Sequence, residues 1–257
     1  MSDNLKSEWT ADEMMTISAA RTLKDGNTCF VGIGIPSTAA ILAKSMQAPN
    51  LFLIYESGTV NTNPQKLPLS IGDGELANHA LTVVGMPEIF NYWLQSGRID
   101  VGFLGAAQID RFANINTTYI GQSYGSPKVR LPGAGGATEI AASCKEVAII
   151  IRQTTRTFVQ EVDFITSMGF GDGPGSRMEN RLLGGGPSRV ITDLGILEPD
   201  PETLELTMTY LHPGVDISEA IANTGWDLKV SPNLKTTKAP EKFELDKVRA
   251  LVSTSDK

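Results

Sequence analysis

Cysteine and histidine are scarce: Cys29, Cys144, His79 and His212 are all there are in 257 residues. Two thiols exclude a disulfide-stapled scaffold, and both lie in or beside apolar runs. A packing role is therefore expected for each, and the chain reads as cytoplasmic. The two histidines are far apart and have no Cys or His at ligand spacing, so no metal site is expected. Basic charge is short as well. Lys plus Arg is 22 against 29 for Asp plus Glu, a formal charge of −7. That balance disfavours nucleic acid or an anionic membrane surface as partner. No apolar run reaches the roughly 18 residues that a spanning helix needs. Residues 1–10 are polar and lack the apolar core of a secretory leader. Neither a repeat nor a linker divides the chain, so residues 1–257 read as a single domain.

Apolar residues make up 41% of the chain, enough for an ordinary core. Thr10 and Glu13 fit a capping box, in which hydroxyl and carboxylate cover free N–H groups at a helix start. Met14, Ile17, Ala20 and Leu23 follow at helical spacing, and residues 24–27 end the helix. Residues 28–31 read as a strand. Gly32, Ile33, Gly34, Ile35 and Pro36 then make a turn, and Ser37 is expected to cap a helix reaching Met46. Residues 51–55 read as a second strand. Strand, turn, helix and strand make a βαβ unit, and apolar runs without alternation suggest a parallel sheet covered on both faces. Further strands are expected at 100–104, 147–151, 188–193 and 204–211. Helices are expected near 75–84, 87–96, 216–223 and 240–251. The class is α/β, an open, mostly parallel sheet with helices on both faces. The 25 glycines cluster, chiefly within 123–138 and 167–187.

One carboxylate stands out. Glu56 directly follows five apolar residues and precedes Ser57 and Gly58. In open α/β sheets ligands bind beyond the C-terminal strand ends. A carboxylate there would be partly desolvated, and a following glycine lets a ligand approach the backbone. The same pattern also fits a strand-end glutamate that points into water. The loop carrying Gly133, Gly135, Gly136 and Ala137 can aim successive N–H groups at one point, as a nest for an oxyanion or phosphate, or can simply be a turn. Gly32 and Gly34 invite a dinucleotide reading, but Ser37 stands where the third glycine of that fingerprint belongs. His79 and Cys144 receive no role.

Several segments carry a resemblance. They are Tyr55-Glu56-Ser57-Gly58; Gly105-Ala106-Ala107-Gln108-Ile109-Asp110; Asn114-Ile115-Asn116-Thr117-Thr118; and Gly133-Ala134-Gly135-Gly136-Ala137. Asp172-Gly173-Pro174-Gly175, Val190-Ile191-Thr192-Asp193-Leu194-Gly195 and Asn223-Thr224-Gly225-Trp226 follow. In this order they resemble the B subunits of class I CoA-transferases of the glutaconate CoA-transferase type, over nearly the whole chain. The resemblance implies a CoA-transferase-like α/β fold and obligatory pairing with a separate A-type subunit in a hetero-oligomer. It implies ping-pong transfer of CoA from an acyl-CoA to a free carboxylic acid, with no bound cofactor and the coenzyme A thioester as substrate. Glu56 takes the place of the family's catalytic glutamate, which forms a glutamyl-CoA thioester, with Ser57 and Gly58 beside it. Each step passes through an oxyanion. Gly133, Gly135, Gly136 and Ala137 are the candidate oxyanion and CoA-binding residues, Gly135 and Gly136 foremost. Ala113 stands where relatives often have Gly, and Met168 where a relative has Pro. Two further readings stay open on the same fold. One is a CoA-thioester hydrolase or C–C lyase acting on a cyclic or branched acyl-CoA. The other is a non-enzymatic CoA-sensing module.

Overall fold

The computed structural model describes residues 8–253; the start of the polar opening segment, through residue 7, lies outside that range. Helix α1 (Ala11–Thr22) opens with a reciprocal cap. Glu13 N donates to Thr10 Oγ1 at 3.2 Å and Thr10 N donates to Glu13 Oε2 at 2.7 Å. A parallel βαβ unit follows, made of β1 (Thr28–Phe30), α2 (Ile35–Ser45) and β2 (Phe52–Ile54). The chain then turns back into β3 (Thr59–Val60), α3 (Gly74–Asn78) and β4 (Thr82–Val83). A single turn α4 (Met86–Glu88) runs into a π-helical turn, Ile89–Leu94. After β5 (Val101–Leu104) come two small ribbons. One pairs β6 (Gln108–Ile109) with β7 (Ile115–Asn116), the other β8 (Tyr119–Ile120) with β9 (Val129–Arg130). The remainder is α5 (Ala137–Ser143), β10 (Glu146–Ile150), α6 (Ser176–Glu179), β11 (Pro187–Ile191), β12 (Gly195–Pro199), β13 (Leu206–Leu211), α7 (Ile217–Ala222), β14 (Lys229–Thr236) and α8 (Lys242–Ser253).

Ten strands form one sheet in the order β14-β13-β12-β11-β10-β5-β1-β2-β3-β4. The centre, from β11 to β2, is parallel throughout. Both flanks reverse: β11, β12 and β13 pair antiparallel on one side, and β2, β3 and β4 on the other. Side chains alternate along a strand, and this sorts the apolar runs onto two faces. Cys29, Val31, Leu53, Tyr55, Val101, Phe103, Ala148 and Ile150 face α1, α2 and α8. Phe30, Ile54, Leu104, Val147 and Ile149 face α5, α7 and the π-helical turn. Both faces are covered, which explains strands that read as continuous apolar runs. Gly102 admits α5 at close range, since a Cβ there would lie 2.5 Å from Ile140 Cγ2 and 2.7 Å from Cys144 Sγ. Both cysteines are buried and free. Burial pushes the Cys144 thiol up to about 12, in keeping with packing.

Three local expectations need correction. Helix α2 starts at Ile35, with Gly34 at its cap position and Pro36 in the first turn. Ser37 therefore lies inside the helix, where Pro supplies the start that a serine cap would have supplied. The helix expected over 75–84 is only five residues long, because the β-branched Thr82 and Val83 leave it to pair with β3. The stretch 87–96 is helical but wound as a π turn: Gln95 N donates to Phe90 O and Arg98 N to Trp93 O. Such turns are rare and often sit at functional sites. Ala113 has φ +57°, the left-handed region where glycine is at ease and a side chain is strained.

Candidate active site

Strand β2 delivers Glu56. Tyr55, fully buried, ends the apolar run. Residues 55–58 turn back into β3, with Gly58 N donating to Tyr55 O at 3.1 Å and Tyr55 N to Thr59 O at 3.2 Å. Gly58 has φ +108°, and a Cβ on it would lie 2.0 Å from Val84 O. No other residue fits this turn without moving β4. The Tyr55 ring is held from below: Ser37 Oγ lies 2.9 Å from Tyr55 Oη and donates to Gly32 O at 2.8 Å. The turn is thus braced on one side by β4 and on the other by α2.

Alternation places Glu56 on the Ile54 face, towards α5 and the π-helical turn. Its carboxylate lies against the glycine-rich loop. A Cβ on Gly136 would meet Glu56 Oε2 at 2.8 Å and Phe90 Cζ at 2.9 Å. Phe90 is set there by the π-helical turn, which Phe90 and Trp93 hold to the sheet. Phe90 packs edge-on to Phe30 at 6.3 Å, and Trp93 stacks on Phe52 at 5.5 Å. Glu56 is half-buried, and among the described residues its carboxylate has neither a hydrogen bond nor an ion pair. Ser57 Oγ beside it is also buried, without a hydrogen-bond partner among the described residues.

The loop itself is pinned. Gly133 N donates to Thr117 O and Thr117 Oγ1 donates to Gly133 O, both at 2.8 Å. Ala137 N is spent on Ala134 O at 2.9 Å. The N–H groups of Gly135 and Gly136 engage no acceptor among the described residues. Gly135 has φ +49° and Gly136 φ −83°, ψ 1°. A left-handed residue followed by a right-handed one turns successive N–H groups into one concavity, an anion nest. Of the four loop residues expected to contribute, two have their N–H groups uncommitted and two use theirs to shape the loop.

Glu56 and this loop share a cavity of about 820 Å³ at the C-terminal ends of β1, β2, β5 and β10. Its walls are mostly apolar residues and glycines, among them Phe30, Ile33, Ile35, Leu104 and Ile140. Asp12, Glu56 and Arg152 are the charged residues that line it. Arg152 is already paired, with Asp12 Oδ1 at 2.7 Å and Asp193 Oδ2 at 3.6 Å. Among the described residues no group of three or more His, Cys, Asp or Glu side chains could hold a metal ion, and no helix is long and apolar enough to cross a membrane.

The other quoted segments shape the frame. Asp110 Oδ1 accepts from Phe112 N and Asn114 N, and its Oδ2 from Asn114 Nδ2. Asn114 Oδ1 accepts from Gly169 N and Gly171 N, both at 3.0 Å, tying the second glycine-rich stretch to the first ribbon. Phe90 was not singled out from sequence, Ser37 was expected only as a helix cap, and Thr117 stood in a quoted segment without a role of its own. Nothing in their spacing marks them, since each acts on a residue distant in the chain.

Comparison with known proteins identifies the family and the fold. Residues 12–223 match the family model described as coenzyme A transferase. The chain is 58% identical to the B subunit of 3-oxoadipate CoA-transferase from Pseudomonas knackmussii, over 95% of this chain and 94% of that one. It is 36% identical to the B subunit of glutaconate CoA-transferase from Acidaminococcus fermentans, over 87% and 85%. The crystal structure of glutaconate coenzyme A-transferase from the latter organism superposes with a TM-score of 0.89 at 32% identity, covering 95% of this chain and 94% of that chain. The decarboxylase AibA/AibB, at 24% identity and a TM-score of 0.80, shares the fold. Matched over residues 12–223 by this family model, and 58% and 36% identical to these two B subunits, the chain belongs to the coenzyme A transferase family.

Proposed function

We propose that this chain is the B subunit of a two-subunit CoA-transferase in which Glu56 is the covalent nucleophile. The observation that carries the reading is an unclaimed carboxylate set against the uncommitted N–H groups of Gly135 and Gly136 in one cavity. A Glu56 oxygen attacks the thioester carbonyl of the acyl-CoA, and the resulting oxyanion lies at the nest. Collapse breaks the C–S bond and leaves an acyl-glutamyl anhydride and CoA thiolate. The thiolate attacks Glu56 Cδ and the donor acid departs, leaving a glutamyl-CoA thioester. The acceptor acid then runs the same steps in reverse. A carboxylate nucleophile conserves the thioester's energy, which a serine ester would lose, and covalent catalysis divides one hard exchange into easier ones. Donors placed where charge develops lower each barrier.

The cavity charge supports pairing with an A-type subunit. The phosphates of CoA and the free carboxylic acid are anionic, yet among the described residues this wall offers them only Arg152, which two aspartates already hold. The partner supplies the remaining positive charge and shuts out water that would hydrolyse the anhydride. Both named relatives act on dicarboxylic acids, 3-oxoadipate and glutaconate. A short dicarboxylic acid is the acceptor class this reading favours, with the acyl-CoA as the other substrate and no bound cofactor.

The test uses the complex of both subunits. Incubation with acyl-CoA alone, then borohydride and peptide mass spectrometry, is expected to show reduction at Glu56. With an acceptor acid added, the CoA should appear as the acceptor's thioester, with no net release of free CoA. An unmodified Glu56, or CoA release independent of the acceptor, overturns the reading; the second outcome points to a thioester hydrolase.

A further inference from the structure

The two edges of the ten-stranded sheet are unlike. At one end β14 exposes Lys229, Pro232, Asn233 and Lys235. Lysine and proline on an outer strand block further strand pairing, so this edge guards itself. At the other end β4 has no such residue. Positions 80–87 carry no charge, and the large apolar side chains there stand in the open. Leu81 is 71% exposed, Val83 55% and Met86 52%, and Tyr92 on the adjoining π-helical turn is 62% exposed. Leu81 and Val83, two apart, project to the same side of the strand. Several large apolar side chains exposed on one edge strand and the turn beside it are the kind of surface that another protein covers.

We propose that the A-type subunit docks on the β4 edge, through Leu81, Val83, Met86 and Tyr92. The proposal rests on this chain being a B subunit, which makes that partner the expected occupant. Position supports it. Val84 N donates to Gly58 O at 2.9 Å, and Val84 O is the atom that excludes a side chain from Gly58. Whatever covers β4 therefore leans on the turn that carries Glu56. A protein seated there closes the site beside the nucleophile and brings its own cations to a wall whose Arg152 is already paired. The β14 edge, already guarded, stays outside this interface.

The experiment measures association apart from chemistry. This chain is co-produced with its A-type subunit, and their dissociation constant is determined by sedimentation velocity. Val83→Lys and Met86→Glu are each expected to raise it 100-fold or more, while the thermal melt of the isolated chain stays as in the parent. Val230→Lys on β14 and Glu56→Gln are expected to leave it within threefold. Unchanged association in both β4 variants overturns the docking site. So does a β4 variant that abolishes self-association of this chain but still binds the A-type subunit, because the occupant is then a second copy. Normal association without a glutamyl adduct counts against the proposed chemistry and leaves the docking site standing.

Discussion

Two carboxylates of this chain follow short strands and end in opposite situations. Asp110 comes directly after β6, and Glu56 two residues after β2. Asp110 is buried and accepts three hydrogen bonds, from Phe112 N, Asn114 N and Asn114 Nδ2. Burial still pushes its carboxyl above the usual range, against the pull of those donors. Glu56 sits at the mouth of a cavity and accepts none among the described residues. A carboxylate with both oxygens committed holds a loop together. One whose lone pairs are free, opposite free N–H groups, is equipped to attack. An acidic residue after an apolar strand is therefore not in itself a catalytic signal; the distribution of donors around it separates the two roles.

The strongest test removes the free carboxylate's charge. Glu56→Gln is expected to lower kcat by about 10⁴-fold or more while the melting temperature stays within a degree or two of the parent, since nothing folded depends on its oxygens. Steady-state kinetics and a thermal melt check it together. Asp110→Ala should do the opposite. Losing three accepted bonds in a buried loop is expected to cost about 2–4 kcal/mol of stability. Adduct formed per folded molecule is expected to be unchanged, read by denaturant titration and by mass spectrometry. An Asp110 variant that stays stable but loses adduct formation would break the comparison.

Gly136→Ala probes the gap between nucleophile and nest. The added Cβ meets Glu56 Oε2 and Phe90 Cζ inside 3 Å, and moving either is expected to lower kcat by about 10- to 100-fold. KM for the acyl-CoA is expected to change little, which single-turnover measurements can separate. The smallest effect concerns a third carboxylate. Asp100 joins the starts of β1 and β10, accepting from Thr28 N at 2.7 Å and Lys145 Nζ at 2.8 Å. Burial raises its carboxyl, but these bonds more than reverse that and hold it below the usual range. A depressed carboxyl contributes stability that is present above its unfolded value of about 4 and is lost as pH falls through the folded value. Asp100→Asn is thus expected to cost a few tenths of a kcal/mol near pH 7, little because water screens the pair. The difference from the parent should close below about pH 4 in pH-resolved melts.

Much of the frame was legible because it rests on local rules. The Thr10–Glu13 cap, the βαβ unit and the strands around 101–104 and 147–150 follow from capping chemistry and from apolar runs bounded by turn residues. The departures have tertiary causes. Ser37 reads as a cap by type but is claimed by Tyr55 Oη and Gly32 O. The helix expected over 75–84 gives way where Thr82 and Val83 find β3 as a partner. The π winding of 89–94 accompanies the seating of Phe90 and Trp93 on Phe30 and Phe52, contacts made across the chain.

By itself, the sequence determined the class of fold and the residue types of the site: apolar runs long enough for a covered parallel centre, a glutamate at a strand end, and glycines in a loop. These depend on neighbours within a few positions. Only the tertiary structure decided that Glu56, 80 residues before Gly136 in the chain, lies against it, and that Gly135 and Gly136 keep their N–H groups free while Gly133 and Ala137 spend theirs. The reason is geometric. Alternation along β2 turns Glu56 to the face that α5 covers. Gly102 admits α5 at close range, and Thr117 pins the loop from a third segment.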